Sequence, residues 1–190
     1  VGFVSASDPD LGDSLSYTII GGTGQAAFSV NSTTGRITVA NSSLLDFETT
    51  TQYTLQVQVN DTSGSTATAT ITINITDAND NLPLITAGQN FSVFENASNG
   101  TQLGTVIVSD DDANTVLSSW TIVSGNTDGI FAIDASTGEV TIADNTNLDF
   151  ETTTGYTLML KVFDGANWSA EEAVTISILN ANEGGVSGIA

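Results

Sequence analysis

Leu45 to Thr51 reads LDFETTT, and the same seven letters return from Leu148 to Thr154, 103 residues further on. Outward from this pair the correspondence widens. FSVNSTTG at Phe28 to Gly35 returns as FAIDASTG at Phe131 to Gly138, and Tyr17-Thr18-Ile19 as Trp120-Thr121-Ile122, at the same offset. Asp61 falls on Asp164, and Asp77-Ala78-Asn79-Asp80 on Asn180-Ala181-Asn182-Glu183. Asp8 and Asp10 meet Asp110 and Asp112 at an offset of 102, so one residue of loop differs. A chain of 190 residues is therefore two copies of one unit. Pro83 marks an extended joint between them, which predicts units over 1–81 and 82–190 with the boundary near Asn79 to Ala87.

Inside each copy the apolar period is two. Tyr53, Leu55, Val57 and Val59 alternate with polar residues, as do Ala69, Ile71, Ile73 and Ile75. Tyr156, Leu158, Leu160 and Val162, then Val174, Ile176 and Ile178, repeat the pattern. These are half-buried strands, and Gly, Asn and Asp punctuate them at a sandwich's spacing. No useful length carries a 3.6-residue stripe, and the short turn around LDFE is the one helix-like candidate. The fold class is all-β. Copy two has a leading strand over Phe91 to Glu95, whereas copy one opens at the counterpart of Leu103, so the first sandwich is expected to lack its first strand. Val1 starts within an alternating segment without a signal-peptide n-region, and the piece reads as internal to a longer chain.

Composition narrows the chemistry. Lysine and arginine number 2 against 22 acids, a formal charge of -20, so attraction to nucleic-acid phosphates or anionic lipid is absent and the natural partners are cations. With no Cys and no His there is no disulfide, no thiolate or imidazole zinc site, and no Ser-His-Asp triad. An enzyme is not expected. Trp120 follows Tyr17 inside a strand and belongs to the core, while Trp168, in DGANWS, could be core or a carbohydrate platform. Asp61-Thr62-Ser63-Gly64 has the letters of an aspartic-protease loop, but Asp164-Gly165-Ala166 loses the hydroxyl. Eight Asn-x-Ser/Thr sequons, at Asn31, Asn41, Asn60, Asn74, Asn90, Asn96, Asn99 and Asn167, permit glycosylation without establishing it.

Fourteen of the 22 acids sit in repeated positions at strand ends, which argues for a common ligand over a merely solvated face. Copy one offers Asp8/Asp10, Asp46/Glu48, Asp61 and Asp77/Asn79/Asp80/Asn81; copy two offers Glu95, Asp110/Asp112, Asp149/Glu151, Asp164 and Asn180/Asn182/Glu183. Oxygen-only donors select Ca²⁺, with its loose coordination, over Mg²⁺. The EF-hand template fails. Asp77, Asn79 and Asn81 fit its first positions, yet Leu82 replaces the glycine and Gly88 the glutamate, and Asp110, Asp112 and Asn114 fail alike at Thr115 and Thr121.

LDFE in both copies, DANDN at Asp77 to Asn81, FEN at Phe94 to Asn96, D-x-D at Asp8/Asp10 and Asp110/Asp112, and the Asp61/Asp164 position together resemble the extracellular repeats of cadherins over essentially the whole chain. The resemblance implies two tandem seven-stranded Greek-key, immunoglobulin-like β-sandwiches with up to three Ca²⁺ at the joint. By position, Asp46, Glu48, Asp77, Ala78, Asn79, Asp80 and Asn81 would serve from one side, with Ala78 and Asn81 giving backbone oxygens. Asp110, Asp112 and Asp164 would serve from the other, with a carbonyl near Asn114. Asp8, Asp10 and Asp61 would be an incomplete outer half-site, and Glu95, Asp149, Glu151, Asn180, Asn182 and Glu183 another. Asn180, Glu183 and Gly184 depart from the family pattern and suggest a joint with fewer ions.

The function so implied is a calcium-binding structural and adhesive module of a cell-surface protein, extracellular and part of a membrane-anchored ectodomain. Its partners are neighbouring cadherin repeats and another cadherin in cis or trans, homophilic adhesion included. The alternative is a calcium-dependent carbohydrate-binding module of a microbial surface protein, with glycan as partner.

Overall fold

The computed structural model describes residues 1–10 and 12–182 and divides the chain into two units, Val1–Ala78 and Asn79–Ala190. Among the described residues no helix is long and apolar enough to cross a membrane.

The first unit runs β1 (Gly2–Phe3), β2 (Ser16–Gly21), β3 (Phe28–Val30), β4 (Arg36–Val39), β5 (Gln52–Asn60) and β6 (Thr66–Asn74). Two antiparallel sheets, β1-β4-β3 and β2-β5-β6, enclose its core. The period-two pattern places Tyr53, Leu55 and Val57 of β5 inside with Tyr17, Phe28, Ile37 and Ile73. Among the described residues β6 pairs with β5 alone, at the edge of the sheet, and Ala69 is exposed although its phase predicted burial. A 3-10 turn occupies Ser42–Leu44, immediately before the LDFE stretch that was expected to supply it. Asn41 caps that turn by accepting from the Ser43 amide, while Asp46 takes the Thr49 amide and hydroxyl and holds LDFE as a non-helical turn.

The second unit contains β7 (Leu84–Ile85), β8 (Asn90–Phe94), β9 (Gln102–Thr105), β10 (Val108–Ser109), β11 (Ser118–Ser124), β12 (Phe131–Ile133), β13 (Glu139–Ile142), β14 (Gly155–Phe163) and β15 (Glu172–Leu179). The sheets are β10-β7, β12-β13-β9 and β11-β14-β15-β8. The leading strand changes sheets on the way: β7 runs antiparallel to β10, and after Gly88, at φ 75°, β8 lies parallel to β15. Leu158, Leu160, Val162, Val174 and Ile176 fill the core, and Trp120 is buried there.

The repeat is visible at the level of contacts. Phe28 meets Tyr53 edge-on at 5.7 Å, and Phe131 meets Tyr156 edge-on at 5.2 Å. Asn31 Oδ1 accepts from the Thr33 and Thr34 amides, as Asp134 Oδ1 does from Ser136 and Thr137; those donors hold the Asp134 carboxyl down to about 2. The register of β2 against β5 and of β11 against β14 slips at the same place, next to Gly22 and Gly125. Both glycines have positive φ, 102° and 87°, and a Cβ on Gly125 would overlap the Thr157 carbonyl oxygen. Gly125→Ala is therefore expected to destabilise the protein by more than about 2 kcal/mol in denaturant unfolding; a change within experimental error would contradict this reading of the bulge.

Candidate metal centre

Three loops of the second unit bring acids together. Asp110 and Asp112 follow β10, Asp164 follows β14, and Asn79 to Asn81 precede β7. Each carboxylate is first a turn former. Asp110 Oδ1 accepts from the Asp112 amide at 3.0 Å, and Asp164 Oδ1 from the amides of Ala166 and Asn167 at 2.7 and 2.5 Å. Asp112 takes Asn81 twice, from the backbone amide at 3.0 Å and the side-chain amide at 2.9 Å.

Turn formation accounts for one oxygen of Asp110 and one of Asp164. Asp110 Oδ2 and Asp164 Oδ2 remain, both buried and both without a hydrogen-bond partner. One oxygen from each of Asp110, Asp112 and Asp164 lies within 4.8 Å of the others, and Asp112 and Asp164 are only 5 % and 2 % exposed. A buried carboxylate oxygen with no donor is costly, and three like charges at this distance raise the cost. Two oxygens bound to one calcium at 2.3–2.6 Å can be no more than about 5 Å apart, so the spacing fits that ion.

The proton affinities follow the same geometry. Burial pushes the Asp110 carboxyl up, the Asp112 amide opposes it, and the Asp112 and Asp164 charges add to the rise. Burial also pushes Asp164 upward, but the Asn167 and Ala166 amides outweigh it and leave the group below its ordinary value. Asn114 adopts φ 65°, and the Thr115 hydroxyl donates to the Asp112 carbonyl at 3.3 Å. Asp80 is exposed and outside the cluster.

The first unit carries its own acidic ends. Near LDFE, a Glu48 oxygen and an Asp77 oxygen lie within 4.8 Å, and Asp77 Oδ1 has no hydrogen-bond partner. Hydrogen bonds from Thr49 hold the neighbouring Asp46 carboxyl below its ordinary value. Ala78, which ends the unit, is exposed. At the other expected half-site Asp8 and Asp10 gather with Asp13, which the repeat comparison missed because copy two has Thr115 at the matching offset. Asp61 stays outside that group: its oxygens accept from the Ser63 hydroxyl at 2.9 Å and the Ser65 amide at 2.7 Å, although Asp61 and Asp8 line one cleft of about 150 Å³.

In the second unit Glu95, Asp149 and Glu151 form a further cluster. Glu95 is buried, its two oxygens accepting from the amides of Ala181 at 2.6 Å and Phe150 at 2.8 Å. Asn180, which stands where copy one has Asp77, donates its side-chain amide to Glu151 at 2.8 Å. Asn182 is exposed, and Glu183 lies outside the described residues.

Repeated β-sandwich units bearing oxygen-only acidic loops define a class of tandem β module, and chains of known family share it. The cadherin domain family model matches residues 1–76 and 89–179. The protocadherin-like wing polarity protein stan of Drosophila melanogaster is 36 % identical over 186 residues, covering 92 % of this chain and 5 % of that protein. Cadherin-1 of Gallus gallus is 35 % identical over 169 residues, covering 82 % of this chain and 19 % of that protein. The human Desmocollin-1 ectodomain is similar in structure, with a TM-score of 0.76 and 28 % identity over 96 % of this chain and 38 % of that one. The chain belongs to the cadherin family. It spans only a small part of the length of these relatives.

Asp110 yields a test of the site's electrostatics. With its carboxyl raised, its contribution to metal-free stability is complete below the ordinary value of 3.8 and is lost as pH rises through the folded value; Asp164, lowered, has the opposite sign. Asp110→Asn keeps the turn's acceptor and deletes the charge. In EDTA at neutral pH this variant is expected to melt above the parent, because the deleted charge is the one that burial and the neighbouring carboxylates disfavour. Its calcium binding should be weaker. A metal-free melting temperature equal to or below the parent's would contradict the electrostatic cost assigned to this carboxylate.

Proposed function

We propose that the chain is a calcium-binding structural and adhesive module, a stretch of a tandem cadherin array whose joint between repeats is stiffened by the metal. The observation that carries this reading is the pair of buried, donorless oxygens, Asp110 Oδ2 and Asp164 Oδ2, beside Asp112. Asp110, Asp112 and Asp164, with a carbonyl near Asn114, would hold calcium from the second repeat. Asp46, Glu48, Asp77 and Ala78 would do so from the first, and Asn79, Asp80 and Asn81 from the linker, for up to three ions in all. The repeats are taken as 1–81 and 82–190.

Seven carboxylates in that set repel one another by ~1 kcal/mol per close pair even in water, so without a counter-ion the joint is held open by its own charge. Bound calcium supplies neutralising positive charge, and the linker through Leu82 and Pro83 is then stiff. An affinity on the order of 10⁻⁴ to 10⁻³ M suits an extracellular module on the surface of a cell. Neighbouring repeats of the same array and a cadherin in cis or trans are the partners this reading assigns, consistent with the adhesion proteins among the relatives.

A carbohydrate role through Trp168 has less support. Trp168 is 42 % exposed, but the Lys161 ammonium sits 4.5 Å from the centroid of its ring and Phe163 packs on it at 5.1 Å, so part of the ring is already engaged within the chain.

Small-angle scattering in EDTA and in millimolar calcium checks the joint: the account expects a longer, less flexible particle with calcium. Superimposable profiles, together with a flat calorimetric titration, would remove the proposal.

A further inference from the structure

We infer that Asn167 is a positioning residue that sets calcium affinity by lacing the Asn79 to Asn81 segment onto the turn that presents Asp164; this rests on the calcium reading above. The bonds form a continuous path between two carboxylates. The Asn167 amide nitrogen of the backbone donates to Asp164 Oδ1 at 2.5 Å, and its side-chain Nδ2 donates to the Asn81 carbonyl at 3.3 Å. Asn81 in turn donates from its backbone amide to Asp112 Oδ2 and from its side-chain Nδ2 to Asp112 Oδ1. Asn79 closes the lacing, donating Nδ2 to the Asp164 carbonyl at 3.0 Å while its Oδ1 lies 3.5 Å from Asn167 Nδ2.

Neutral amides thus span two loops whose carboxylates repel, and they hold Asp112 and Asp164 near each other before any cation arrives. Preorganisation of this kind improves affinity because the cost of gathering the ligands is met in folding. The first unit shows the contrast. Position 64, the counterpart of 167, is a glycine at φ 97°, and there Asp61 lies outside the Asp8, Asp10 and Asp13 group.

The side chain of Asn167 can be removed without dismantling the turn. Its backbone bond to Asp164 survives any substitution that leaves the amide. The hairpin is closed independently by the Phe163 to Trp168 bridge, by the Ser169 amide on the Val162 carbonyl at 2.8 Å, and by the Val162 amide on the Ser169 hydroxyl at 3.0 Å.

The test is calorimetric titration of calcium chloride into the whole chain and into its Asn167→Ala variant, with melting curves of both in EDTA. Asp110→Asn serves as the variant that lacks a ligand. Asn167→Ala is expected to weaken calcium binding by about tenfold, the lower end of what loss of a ligand-orienting partner costs, with an unchanged melting curve in EDTA. Equal affinity for Asn167→Ala while Asp110→Asn binds weakly would overturn the role of Asn167 and leave the calcium reading standing. Weaker binding that comes with a lowered metal-free melting temperature would overturn it as well, since a merely structural role predicts that pair. Absence of binding by the parent chain would bring down the calcium reading itself.

Discussion

Buried negative charge without a donor is the constraint on which the second unit's loop architecture depends. Asp112 and Asp164 are almost entirely buried, and Asp110 Oδ2 and Asp164 Oδ2 have no hydrogen-bond partner. Backbone amides and asparagine side chains satisfy the remaining oxygens and fix their directions. The polypeptide thereby supplies every donor the turns require and stops short of neutrality. A fold that only needed turns would have solvated these oxygens or paired them with lysine, and the chain has 2 basic residues in all. A hard divalent cation fits what is left.

The sandwiches make such a cluster inexpensive to position. Each acid stands at the end of a strand whose other residues are committed to a core, so the loops inherit their places from Val162, Leu160 and their neighbours. The same solution appears twice. Phe28 and Phe131, the Asx turns at Asn31 and Asp134, and the bulges beside Gly22 and Gly125 are one set of local decisions used at two places in the chain. Consistency between local turn chemistry and global burial is what a specifying sequence requires.

Much of this was legible in the sequence, for physical reasons. The period-two runs in Tyr53 to Val59 and Tyr156 to Val162 announce strands because side chains alternate across a pleat, and the 103-residue offset announces two units because identical turns need identical residues. The acids Asp110, Asp112 and Asp164 were legible as a set because oxygen donors recur at strand ends. What was not legible depends on contacts remote in sequence. Asn167 reads as a loop residue or a sequon until its amide is seen on Asn81, 86 residues away. The contact of Lys161 with the Trp168 ring requires knowing that residues 161 and 168 flank one hairpin. Asp13 has no counterpart in copy two, so no repeat comparison could raise it, and the 3-10 turn at Ser42–Leu44 was displaced from LDFE by the cap at Asn41.

The most direct measurement is an anomalous difference map from crystals of the whole chain grown in calcium. Density for an ion coordinated by Asp110 Oδ2, Asp112 and Asp164 Oδ2, at calcium-to-oxygen distances of about 2.3–2.6 Å, is the predicted result. A map with no anomalous peak at those three carboxylates in saturating calcium would contradict the claim that the unpaired oxygens of Asp110 and Asp164 exist to bind it.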